Sequence, residues 1–139
     1  MFGSERQLGE AVNLTKNQKL VLDALLAKEE PLGAYTLLER LRDHGIRSPL
    51  QVYRALDRLV EAGLVHRLES INAFVACAHP HDHKHGLIAF AICQNCGQVD
   101  EFADDVVEER LHGWTCEHAF RPVKTTIEMR GVCGACQAA

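Results

Sequence analysis

Ser48-Pro49-Leu50-Gln51-Val52-Tyr53-Arg54-Ala55-Leu56-Asp57-Arg58-Leu59-Val60-Glu61-Ala62-Gly63 is a helix written with both of its ends. Ser48 is an N-cap whose hydroxyl can accept the N–H of the third helical residue. Pro49 loses nothing at a first position that has no N–H partner, and Gln51 can reach back to the cap. Gly63 closes the far end, so the spacing predicts a helix over about Pro49 to Ala62. Val52, Leu56, Leu59 and Val60 form one apolar face. Gln51, Arg54 and Arg58, at offsets of three and seven, share another face that a core does not claim.

Two further helices precede this one. Thr15-Lys16-Asn17-Gln18 is a capping box ahead of Val21, Leu22, Ala24, Leu25 and Leu26, which predicts a helix to about Lys28, before Pro31. A second runs from Ala34 to about Asp43, with Leu37, Leu38 and Leu41 at helical spacing and Gly45 as its stop. After Gly63 the pattern becomes strand-like, over Leu64 to Ser70 and Ala73 to Cys77, joined at Ile71-Asn72 as a hairpin. A short Gly-containing turn between the last two helices, followed by a hairpin, suggests a winged helix-turn-helix whose second helix enters a DNA major groove. A plain helical bundle packed on a hairpin is the alternative.

Composition bounds the rest. The chain has 139 residues, 47% hydrophobic and 24% charged, which is ordinary for a folded protein and leaves room for one domain or two small ones. Its longest apolar run, Leu87 to Cys93, has seven residues, against about 20 for a membrane span. The N-terminus lacks the apolar core of a secretory signal, so a cytoplasmic location is expected. Residues 1–76 balance ten basic against ten acidic side chains, whereas residues 77–139 carry five against nine. Twelve of the 14 Cys and His residues lie in that acidic half. In a reducing compartment such a set points to metal rather than to disulfides.

Cys93-Gln94-Asn95-Cys96 and Cys133-Gly134-Ala135-Cys136 are paired C-x2-C motifs, the ligand set of a structural zinc cage. The 36 residues between them must hold enough structure to bring the second pair back to the first. A strand at Leu87 to Cys93, an acidic helix from Ala103 to about Gly113 and a strand at Val123 to Met129 supply it. A redox dithiol is the alternative reading of either pair.

The second constellation is looser. With a two-residue turn at Ile71-Asn72, His66 would lie directly opposite Cys77 on one face. His79, His81, His83 and His85 alternate, so an extended chain turns all four to one side, and Glu101 follows the first C-x2-C. Imidazole, thiolate and carboxylate together suit a reversible zinc site, although a solvated polar loop also explains the His tract. Cys116 reads as a buried small hydrophobe, and His44, His112 and His118 as surface or helix-end residues.

These segments resemble the ferric uptake regulator family, and within it the zinc-uptake branch. The resemblance runs from Thr15 to Cys136 and is carried by GAYTLLERL (33–41), Val52-Tyr53-Arg54-Ala55-Leu56-Asp57, Val65-His66-Arg67-Leu68-Glu69-Ser70 and the paired C-x2-C. It implies an α+β fold with a winged-helix DNA-binding domain at 1–77, a His-rich hinge at 78–86 and a small α/β zinc-binding dimerisation domain at 87–139. It implies a homodimeric, zinc-loaded repressor of zinc-uptake genes on palindromic double-stranded operator DNA, with no membrane or small-molecule substrate as partner. One structural zinc falls on Cys93, Cys96, Cys133 and Cys136, and at least one regulatory zinc per subunit on His66, Cys77, His85 and Glu101, with His83 competing. Tyr35 and Arg54 are the DNA contacts carried over by position. His81-Asp82-His83 resembles half of a further metal site, but Val123 stands where many relatives have His.

Cys77 argues for zinc, because a soft thiolate disfavours iron and manganese. Iron-, manganese- or peroxide-sensing regulators of the same family, or a zinc-storage or metallochaperone protein, are the alternatives. An enzyme is not expected: Ile92 and Val132 precede the Cys pairs where a deaminase has Pro, and no G-x-S-x-G or G-K-[ST] loop is present.

Overall fold

Both capping boxes form as written. Thr15 Oγ1 accepts the N–H of Gln18 at 3.2 Å while Gln18 Oε1 accepts that of Thr15 at 3.1 Å, opening α1 (Lys16–Ala27). Ser48 and Gln51 do the same at 3.3 and 3.2 Å for α3 (Pro49–Glu61). Between them lies α2 (Ala34–Leu41), which tightens into a 3-10 turn at Arg42–His44 and ends on Gly45, whose φ of 103° suits glycine. The computed structural model describes residues 13–27, 30–78 and 87–138, which divide into two compact units, Met1–Cys77 and Ala78–Ala139.

In the first unit the apolar faces of three helices close on one core. Val21, Leu22 and Leu25 of α1, Leu37, Leu38 and Leu41 of α2, and Val52, Ala55, Leu56 and Leu59 of α3 are all buried in it. Leu26, counted with the apolar set of α1, is instead half exposed. The wing, β1 (Val65–Leu68) and β2 (Ala73–Ala76), adds Val65 and Phe74 to this core. Leu32 pairs with Phe74 through two backbone hydrogen bonds of 3.0 and 2.9 Å, adding a one-residue third strand that the sequence does not announce.

The register of the wing corrects the expectation. Val65 pairs with Ala76, His66 with Val75, Arg67 with Phe74 and Leu68 with Ala73. The connection is therefore four residues, 69–72, with the N–H of Ile71 on Leu68 O and that of Asn72 on Glu69 O; Asn72 takes a left-handed φ of 50°. Leu64, not His66, faces Cys77, whose N–H donates to Leu64 O at 2.8 Å. The longer turn is closed by these backbone hydrogen bonds, and Phe74 is held further by its pair of bonds to Leu32. The slip is two residues, so His66 and Cys77 stay on one face as diagonal neighbours.

The second unit is a three-stranded sheet of order β4-β3-β5, with β3 (Leu87–Cys93) in the centre. It pairs antiparallel with β4 (Val99–Phe102) and parallel with β5 (Thr125–Gly131), the crossover being α4 (Asp105–Glu117). β3 has the expected bounds. The helix begins two residues later than expected because Asp104 caps it, accepting the N–H groups of Val106 and Val107, and it continues through Gly113. Strand β4 and the short α5 (Gly134–Ala138) were not anticipated; Val99-Asp100-Glu101-Phe102 is too short and acidic to stand out. Among the described residues no helix is long and apolar enough to cross a membrane.

Candidate metal centres and nucleic-acid face

The parallel pairing of β3 with β5 places Cys93 beside Gly131, so the 36 intervening residues return the second C-x2-C to the end of the same sheet. Gly97, at φ 80°, turns the first pair back on itself, and its N–H donates to Cys93 O at 3.0 Å. Cys133 follows β5 directly and Cys136 sits in α5. The four sulfurs converge: Cys93 to Cys136 is 3.7 Å, Cys96 to Cys133 is 3.8 Å, and all lie within 4.8 Å of one another. Four sulfurs at about 2.3 Å from one tetrahedral ion are separated by about 3.8 Å. All four are free thiols, and the convergence of both pairs on one point at this spacing fits zinc.

Electrostatics point the same way. The N–H groups of Cys96 (3.5 Å) and Cys133 (3.3 Å) donate to Cys93 Sγ and hold its pKa down at about 6. Its neighbours are affected oppositely: the thiols of Cys133 and Cys93 push Cys136 up to about 12, and Cys96 is also raised. Thiolates this close repel one another, and a divalent cation at their centre removes that repulsion.

The second candidate set is divided between the units. In the wing unit, His66 on β1 and Cys77 just beyond β2 are buried, and their donor atoms lie within 4.8 Å of each other. In the other unit, Glu101 on β4 accepts the N–H of Ala78 at 2.9 Å. His83 and His85, with His79 and His81, lie outside the described residues.

A model of the ferric uptake regulator family matches residues 10–130. The chain belongs to the ferric uptake regulator family. Among curated members of that family, the zinc uptake regulation protein of Escherichia coli is 37% identical over 126 residues, spanning 90% of this chain and 73% of the relative. Among solved structures, holo XcZur superimposes with a TM-score of 0.86 at 37% identity, covering 96% of each chain. A zinc uptake regulator complexed with zinc and DNA gives 0.87 at 34% identity, over 98% of this chain and 91% of that one.

The residues that the sequence places on the polar face of α3, and Tyr35 on α2, sit as follows. Arg54 and Arg58 are exposed on that face, with Arg58 Nη1 3.4 Å from Glu61 Oε2. Gln51, assigned to the same face, is half-buried, and its Oε1 is taken by the N–H groups of Arg47 and Ser48. Tyr35 projects from the first turn of α2, 67% exposed. Tyr53 is exposed beside Arg54, and the Arg67 guanidinium lies 5.9 Å from the Phe74 ring centre in the wing. Cys116 also departs from expectation: it is exposed, because α4 buries none of its residues.

Proposed function

We propose that this chain is a zinc-responsive transcriptional repressor that binds palindromic operator DNA as a zinc-loaded homodimer and controls zinc-uptake genes. The observation that carries zinc as the sensed metal is the buried thiol of Cys77 beside the imidazole of His66 in the wing. A soft sulfur with a borderline nitrogen selects zinc over the oxygen-preferring metals. The similarity to a zinc uptake regulator complexed with zinc and DNA supports both ligands.

On this reading residues 1–77 bind DNA, 78–86 form the hinge and 87–139 form the dimerisation domain. The cage of Cys93, Cys96, Cys133 and Cys136 holds the structural zinc; His66, Cys77, Glu101 and His85 or His83 hold the regulatory one. Arg54 reads a base edge, Arg being the residue best shaped for guanine O6 and N7. Tyr35, Arg58 and the free amide nitrogen of Gln51 position the helix. Exposed Val106, Val107, Leu111 and Trp114 along α4 support a subunit interface. The protein acts in the cytoplasm and is not an enzyme.

Zinc shifts the protein towards its DNA-binding form only through its greater affinity for that form; moving 1:99 to 99:1 requires about 5.5 kcal/mol. The test is a titration of purified protein with zinc, iron or manganese while binding to a palindromic operator is measured. Zinc alone raises the affinity at low metal; if no metal changes it, the sensor reading fails.

A further inference from the structure

Away from both sets of candidate ligands, α4 presents a second kind of donor pair. His112 Nε2 and Cys116 Sγ lie 3.5 Å apart, one helical turn from each other, and both residues are exposed. The i, i+4 spacing on an intact helix holds this separation without help from a loop. A tetrahedral zinc bonded at about 2.0 Å to nitrogen and 2.3 Å to sulfur keeps its two donors about 3.5 Å apart. The separation of the two donors therefore already matches the bite of the ion. Water fills the other two positions, since among the described residues no third His, Cys, Asp or Glu donor lies within 4.8 Å of both.

We propose that His112 and Cys116 form an accessory zinc site on α4, separate from the four-thiolate cage and from the His66–Cys77 pair. Binding displaces the thiol proton of Cys116 to solvent, leaving a thiolate–zinc bond and a neutral imidazole ligand. With two strong protein ligands and open faces, the site fills after the closed cage. Its donors, a borderline nitrogen and a soft sulfur, select zinc over magnesium or manganese.

The test uses the full-length protein with its cage already zinc-loaded. Alkylation of Cys116 by iodoacetamide is followed by peptide mass spectrometry with and without added zinc chloride. Only a thiolate in solution is attacked, so zinc slows the reaction at Cys116 by roughly tenfold or more. His112→Ala removes that protection, read as the ratio of rates within the one variant, so that any change in the metal-free rate cancels. Cobalt substitution gives an independent readout: Cys116→Ser loses one equivalent of tetrahedral sulfur-ligated cobalt while its helix content is unchanged. Equal alkylation of Cys116 with and without zinc, or full protection persisting in His112→Ala, overturns the proposal. Neither readout uses DNA, so the result is independent of the regulatory reading.

Discussion

Cys96→Ser separates a metal cage from four cysteines that merely sit together. Cys96 is exposed, so without a metal the exchange of sulfur for oxygen belongs to the surface substitutions that change stability by about 0.5 kcal/mol or less. With zinc the outcome is different. Among the described residues of the second unit the large buried side chains are Leu87, Phe90 and Ile92, all on β3. At about 1.5–3 kcal/mol each they contribute about 5–9 kcal/mol together. A structural zinc is worth about 10–16 kcal/mol of folding free energy, more than that whole set. Losing one of four thiolates should therefore release the zinc against a chelator and unfold the second unit. The first unit, with its own core, should stay folded. Zinc content after dialysis, read with amide exchange in β3, α4 and β5, measures both effects. A Cys96→Ser protein that keeps its zinc and its amide protection would refute the cage.

Arg54→Ala should weaken operator binding by about 1–3 kcal/mol, leaving zinc content and thermal stability unchanged, as read by binding titration and calorimetry. Cys77→Ser should keep the caged zinc and the fold yet lose the zinc-dependent gain in DNA affinity; a variant that still responds to zinc counts against His66 and Cys77 as ligands. Ser48→Ala removes the hydroxyl that accepts the Gln51 N–H and should cost about 1 kcal/mol of stability, seen as a lower unfolding midpoint of the first unit. Because the Cys93 pKa is held at about 6, that thiol is already ionised near neutrality, and zinc entering the metal-free cage at about pH 7.5 should release fewer than four protons. Below about pH 6 Cys93 is protonated as well, so the number released per zinc should rise, which calorimetry in buffers of different ionisation enthalpy would detect.

Whatever depends on neighbours along the chain is legible in the residues themselves. Ser48 and Gln51 find each other because three residues separate them, and Leu37, Leu38 and Leu41 share a face because a helix repeats every 3.6 residues. The two C-x2-C pairs name their chemistry through residue type alone. Tertiary structure decided what depends on partners distant in sequence. The wing register is held by backbone bonds within the turn at 69–72 and between Phe74 and Leu32, and this makes His66 a diagonal rather than a direct neighbour of Cys77. Acidic β4 became a strand because β3 offered it a row of backbone partners, a contribution that side-chain pattern does not record. Cys116 reads as a small hydrophobe, yet α4 buries none of its residues, which leaves that sulfur exposed beside His112. The parallel ladder from Leu87–Thr125 to Cys93–Gly131 brings four sulfurs within 4.8 Å across the gap between the pairs. Spacing states which atoms can bind a metal; only the closure of backbone hydrogen bonds across the sheet places them at its bonding distance.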